Sequence, residues 1–337
     1  MHIWGLGTGA QLWAVGDSGI ILHYPSQTGR WETQTSSITN SLNSIFGSSD
    51  GAQLWAVGSR GTILHYSTET GHWEMLASGT TNDLNSIFGS SDGTQLWAVG
   101  SMGTILHYTA QTRRWEVEAS GTTNYLRSIF GSSDGTQLWA VGNGGGILHH
   151  SSQTGRWEAQ TSGTTNILTS IFGSSDGMQM WTVGFSGVIL HYTAQTGRWE
   201  TQASGTTNLL FSIFGSSDGT QLWAVGFSGM ILHYTAQTGR WENQPSSTVN
   251  NLFSIFGSSD GAQMWAGGGG GVIVRHSSLT SSWETQVGGI PSAGDFQLIF
   301  GSSDGTQLWA LGNGDILHHS SLTGRWERQL PLIDFLD

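Results

Sequence analysis

One tryptophan recurs along the chain at Trp13, Trp55, Trp97, Trp139, Trp181, Trp223, Trp265 and Trp309, with a step of 42 residues that lengthens to 44 only at the last interval. A second series keeps the same beat at Trp31, Trp73, Trp115, Trp157, Trp199, Trp241, Trp283 and Trp326. Two independent markers therefore count eight copies of one unit. Length alone suggests roughly two or three domains, but a short internal period means that one architecture fills the chain. The irregularities fall in the last copy, which gains two residues between Trp283 and Ile299 and loses one between Trp309 and Trp326. Loops absorb such changes.

The unit from Leu84 to Tyr125 reads LNSIFGSSDGTQLWAVGSMGTILHYTAQTRRWEVEASGTTNY, with apolar runs of four to six residues between turn signals. Runs of that length suit strands rather than helices. The Asp92-Gly93 pair and Gly103 mark two tight hairpins, because such pairs supply the positive φ these turns require. Four strands follow per unit: A over 84–89, B over 95–100, C over 104–108 and D over 115–119, with 120–124 leading into the next copy. A four-stranded meander cannot bury both faces alone, so copies must stack, and radial stacking about a channel is the β-propeller solution. An open solenoid is the rival, but solenoids usually carry atypical polar caps. Here copy 1 begins at strand A with Ile3-Trp4-Gly5 and copy 8 ends at strand D without a cap. The sequence thus predicts an all-β chain, a single eight-bladed β-propeller with four antiparallel strands per blade over residues 1–337, with strand A innermost. Residues 331–337 form a C-terminal tail expected to pack over the seam between blades 8 and 1. The start within a repeat, with no linker before Ile3, suggests a piece of a longer protein or an engineered product.

Composition narrows the function classes. The net charge is −12, no Lys is present, and the 11 Arg are scattered singly apart from Arg113-Arg114. Phosphate binding needs a clustered basic surface, so nucleic acid is not an expected partner. No apolar run approaches a membrane span and residues 1–9 lack a secretory leader pattern, so no membrane partner is expected and the cytoplasm is the favoured compartment. The absence of Cys removes disulfides, thiolate metal sites and Cys nucleophiles.

The order QLWAVG, then GTILHY, then Gly-x-Trp resembles bacterial propeller repeats related to the photosystem-II assembly and stability factors and to Asp-box propellers, and it covers the whole chain. An Asp-box carries Ser-x-Asp-x-Gly-x-Thr-Trp between strands C and D, where this chain has Thr109-Ala110-Gln111-Thr112-Arg113-Arg114-Trp115. The resemblance implies a fold and a binding role more than a chemistry. Sialidases share the architecture, but their Arg triad, Tyr and acid are not recognisable here.

Two constellations invite a chemical reading. A His series runs through His23, His65, His107, His149, His191, His233 and His318, with Arg275 in copy 7. Equivalent residues on successive blades fan outward, whereas metal ligands must converge on one ion, so no metal or other cofactor is expected. Ser-Ser-Asp recurs as Ser48-Ser49-Asp50 and in later copies, so Ser, Asp and His coexist in nearly every unit. A nucleophile needs one supported site, and an array of copies reads as a fold requirement, so no catalytic residue is assigned. Asp50 is expected to meet His65 in a structural hydrogen bond, and Arg275 to take the His role as donor to Asp260. The strand-B Trp series reads as blade-to-blade core rather than as sugar-stacking platforms.

Differences between copies are the more informative signal. The A–B and C–D loops barely vary. The B–C turns do, through Asp17-Ser18, Ser59-Arg60, Ser101-Met102, Asn143-Gly144, Phe185-Ser186 and Phe227-Ser228. So does the entry to strand A, through Ser41/Asn43, Asp83/Asn85, Tyr125/Arg127, Ile167/Thr169, Leu209/Phe211 and Asn251/Phe253. Both groups belong to one face of the disc. Large apolar replacements gather there, and exposed apolar clusters mark binding sites. The expected recognition residues are Phe185, Phe227, Leu209, Phe211 and Phe253, joined by Tyr125, Arg127, Arg60 and Met102. The expected function is a non-enzymatic protein-interaction scaffold or sensor. A glycan-binding propeller lectin is the alternative, in which ligand-contacting residues would be kept from blade to blade.

Overall fold

The computed structural model describes residues 2–5, 11–277, 282–286, 294–302, 304–312, 315–320 and 324–329. Each Trp-marked unit forms one antiparallel meander, and eight such sheets are present, all in the order A-B-C-D and each drawn from one contiguous stretch of chain. In blade 3 the strands are Leu84–Gly89, Gln95–Gly100, Ile105–Thr109 and Arg114–Glu118. Strand A of every blade touches strand A of the next, and that of blade 1 touches that of blade 8. The ring is therefore closed, with A innermost. No α-helix occurs among the described residues, although a three-residue 3-10 turn such as Ser101–Gly103 joins strands B and C. The tail at 331–337 lies outside the described residues.

Strand alternation explains why the blades must stack. In blade 3 Leu96 and Ala98 point to one neighbour and join Trp55 and Val57 of blade 2 in one apolar cluster. Trp97 and Val99 point the other way and join Leu126, Ile129 and Leu138 of blade 4. Both faces of the sheet are thus buried by different partners. The strand-D Trp enters the same interfaces: Trp13 meets Trp73 of the next blade edge-on at 5.6 Å, and Trp139 meets Trp199 at 5.5 Å. Truncating a buried indole costs about 3–5 kcal/mol, so each blade contact is substantial. The seam uses the same packing, with Ile3, Leu12 and Trp31 of blade 1 against Trp309, Leu311 and Ile316 of blade 8. Among the described residues no strand is exchanged across it.

Hydrogen bonds tie the inner strands around the axis. At the A–B end the Ser49 N–H donates to the Ser91 carbonyl at 2.8 Å, Ser91 to Ser133 at 2.9 Å, and the chain of bonds continues through Ser175 and Ser217 to Ser259. Below this belt the strand-A Phe rings touch in sequence, Phe46, Phe88, Phe130, Phe172, Phe214, Phe256 and Phe300, with centroids 4.9–6.1 Å apart. This aromatic collar was not singled out from sequence, where each Phe reads as an ordinary strand residue.

The opposite end depends on glycine. Gly103 closes the B–C turn at φ +67°, and a Cβ there would lie 2.0 Å from the Thr122 carbonyl of the adjoining D–A loop. Gly121 has a similar φ of +69° but open space around it. An L side chain in the left-handed region costs about 1–2 kcal/mol, which is the loss expected for Gly121→Ala in urea unfolding. Gly103→Ala is expected to lose distinctly more, because its methyl also displaces the Thr122 carbonyl.

Candidate functional site: the face of B–C turns and D–A loops

The B–C turns of blades 2 to 7 are each tied to the D–A loop that enters their own blade by a backbone hydrogen bond, and in blade 3 the next D–A loop adds a second. In blade 3 the Ser101 N–H donates to the Asp83 carbonyl and the Gly103 N–H to the Asn124 carbonyl, both at 2.8 Å. In blade 6 the Phe227 N–H donates to the Leu209 carbonyl at 2.8 Å. The clamp uses main-chain atoms, so the side chains on this face are free to differ. A register shift in strand A, between Leu126 and Ser128 in blade 4 and at the same place in its neighbours, adds one residue to the strand. Such bulges re-aim side chains. Here the extra residue is Asn43, Asn85, Arg127, Thr169, Phe211, Phe253 or Gln297, placed at the inner edge of this face.

The structure sorts the sequence-derived residues into three groups. Arg60 and Met102 sit at the middle of their turns, both at φ +56°, and Met102 is 63% exposed. Tyr125 and Arg127 form a pair, with the guanidinium 5.2 Å from the ring centroid. Phe211 and Phe253 touch across the blade 6–7 boundary at 5.6 Å and are half-buried. Phe227 is 44% exposed, while Phe185 and Leu209 are half-buried, and Phe185 and Phe227 make no ring contact with each other. One residue was missed. Val249, 84% exposed, stands in the D–A loop of blade 7 where other loops carry Thr39, Thr81, Thr123, Thr165 and Thr207. Comparing the copies of that loop position would have found it.

A side-chain cap distinguishes the loops. Asp83 accepts the Arg60 N–H at 2.9 Å, Asn251 the Ser228 N–H at 3.0 Å and Asp295 the Gly270 N–H at 2.9 Å. In three consecutive blades the capping position holds Tyr125, Ile167 and Leu209, which cannot accept from Met102, Gly144 and Ser186 in this way. An open cleft of about 760 Å³ lies in the same region, lined by Asn124, Gly144, Gly146, Gln160 and Thr165 among others. It opens because Gly146 stands where Thr62 and Thr104 accept hydrogen bonds from Asn40 and Asn82, at 2.9 and 2.8 Å.

The Ser, Asp and His series do not meet as expected. Ser48 Oγ donates to Asp50 at 2.6 Å, and Asp50 also accepts the Ala52 N–H at 2.9 Å. His65 Nε2 instead pairs with Gln53 Oε1 at 2.6 Å, as His107 does with Gln95. The carboxylate is consumed by its own turn, two residues away, before it can reach strand C. Asp260 does the same with Ser258 and Ala262, and Arg275 lies over Trp265 at 5.0 Å, so the expected Asp260–Arg275 contact is also replaced. Among the described residues no three His, Asp or Glu converge on a common point. No helix among them is long and apolar enough to cross a membrane.

Comparison with known families places residues 7–235, from blade 1 into blade 6, under the family model described as photosynthesis system II assembly factor YCF48. No curated protein matches the chain.

The His series has a measurable consequence. Each ring stacks on the strand-B Trp of its own blade, at 3.8 Å for His149 on Trp139 and 3.6 Å for His191 on Trp181. Burial lowers the pKa of His149, His191 and His233 from 6.5 to about 4. The unfolded chain therefore takes up protons near pH 6.5 that the folded chain refuses until about pH 4, so stability is full above 6.5 and falls as pH drops through this window. The turn carboxylates act lower. The Ser48 hydroxyl and then the Ala52 N–H hold Asp50 below its ordinary 3.8, and its counterparts behave alike, so their contribution is lost only below that pH. Thermal unfolding midpoints measured across the acid range should fall in two stages, and His191→Phe should shrink the first and leave the second.

Proposed function

This chain belongs to the photosynthesis system II assembly factor YCF48 family, and on that footing we propose that it is a non-catalytic scaffold or sensor that recognises a protein partner. The partner docks on the face of B–C turns and D–A loops, centred on blades 5 to 7. The observation that carries this reading is the replacement of structural polar groups by apolar ones in one sector. Leu209 stands where Asp83 and Asn251 cap a neighbouring turn, Val249 where five other loops carry Thr, and Phe227 where most turns carry a small polar residue. Each change gives up a local hydrogen bond or solvation and places an apolar surface toward solvent. Residues that sacrifice stability in this way are characteristic of binding sites. Phe211 and Phe253 extend the same surface inward.

A glycan-binding role is the second reading, and the cleft beside Asn124 favours it, since its lining is neutral and rich in hydroxyl and carboxamide groups. The Trp series offers it no stacking platforms, because both rings of Trp are packed between blades.

The decisive comparison uses Leu209→Asn. The new Oδ1 accepts the Ser186 N–H, which should raise the unfolding free energy by about 0.5–1.5 kcal/mol, while affinity for the partner recovered from native extract falls. Phe227→Ser together with Phe253→Ser should weaken that binding by about 1–3 kcal/mol per residue, as for interface anchors. A Leu209→Asn protein that is more stable and binds undiminished would mark this surface as drift. Glycan-array binding abolished by Asn124→Ala would reverse the order of the two readings.

A further inference from the structure

The inner edge of the face of B–C turns is chemically divided. At the bulged position of strand A, Asn43 and Asn85 donate to the backbone carbonyls of Leu84 and Leu126 in the next blade, at 2.9 and 2.8 Å, and Thr169 donates to Leu210 at 2.8 Å. These side chains tie blades together. Arg127 occupies the same position and does not. Its Nε donates to Asn143 Oδ1 in its own blade's B–C turn at 2.8 Å, and its guanidinium rests on Tyr125. The Tyr125 hydroxyl is itself fixed by donation to Asn85 Oδ1 at 2.8 Å. A chain of three residues therefore holds the guanidinium in one orientation. Its terminal nitrogens have no partner among the described residues. Two blades further round, past Thr169, the same position is filled by Phe211 and then Phe253, in mutual contact.

We propose that this inner edge receives an extended peptide segment of a partner, with one carboxylate bound by Arg127 and an apolar side chain seated on Phe211 and Phe253. The inference rests on the reading of this face as a protein-binding surface and names the chemistry it selects. A half-buried, pre-oriented guanidinium favours a planar anion that accepts two parallel N–H bonds. A single negative charge is selected over a dianion such as phosphate, since Arg127 is the one cation among the bulged positions and the chain carries a net charge of −12. The neutral residues between Arg127 and Phe211 ask for a short spacer without charge.

The test uses the full chain and a set of short fluorescent peptides carrying one Asp or Glu a few residues from a Phe or Leu, with carboxamide versions of each. Acidic members should bind, with affinity falling as salt is raised. Arg127→Gln should weaken them about tenfold or more and leave the carboxamide versions unchanged, a coupling that a general loss of structure would not produce. Phe211→Ser should weaken both versions. Equal binding of acidic and carboxamide peptides, indifference to Arg127→Gln, or no binding by any acidic member overturns the proposal. In each of these cases partner binding that still depends on Phe227 leaves the broader reading of the face standing. Competition by inorganic phosphate at lower concentration than acetate would also overturn it, by showing selection for a dianion.

Discussion

Everything in this propeller depends on the contact that the strand-B Trp makes with its neighbours. The indole is stacked on a His of its own sheet and closed over by the Tyr or His and the strand-D Trp of the next blade, as Trp139 is by His149, Tyr192 and Trp199. A lone four-stranded meander would leave both its faces in water. Repeating one interface around the ring removes both faces at once, and the closing interface between blades 8 and 1 is built from equivalent residues. Closure by packing of this kind follows from copies similar enough for the last to fit the first.

The two ends of the blades answer to different constraints. At the A–B end the backbone of the turns in blades 2 to 7 is bonded from one turn to the next around the axis, and the Ser and Asp side chains are consumed in shaping the loop. Substitution there would break the turn and the belt together. At the B–C end the clamp is made by main-chain groups and by glycines that only fit without a side chain, so the remaining positions are released from structural duty. Variation alone therefore reports freedom rather than function. The identity of the replacements carries the functional argument, because Leu209 lacks the cap that Asp83 and Asn251 provide, and Phe227 and Val249 expose apolar surface where most counterparts are small and polar.

The His series illustrates how repetition can suggest chemistry where there is packing. A ring nitrogen paired with a Gln carboxamide and a ring face pressed on indole make a neutral, half-buried imidazole, which titrates well below its ordinary range. Its role is to satisfy a polar edge inside an aromatic interface. The stacked His of blades 1, 2, 5, 6 and 8 is lowered by burial as well, so acid acts on many blades within one pH window.

The sequence by itself determined the number of blades, the four strands of each, the burial of the strand-B Trp and the face on which copies differ. All of these follow from periodicity, which is local and survives any arrangement in space. It could not determine which polar groups pair. Asp50 and His65 approach the same end of a blade, yet the shorter loop to Ser48 and Ala52 closes first, and Gln53, diagonal to His65 across the strand pair, takes the ring. Nor could it show that the Phe residues of strand A form a collar, since that requires the ring to be closed. The orientation of Arg127 is of the same kind. Its position in the repeat matches Asn85 and Thr169, and only the presence of Asn143 on one side and Tyr125 on the other turns it away from the neighbouring blade. Such choices are made between groups distant in sequence, by whichever partner the packed backbone brings within hydrogen-bonding reach.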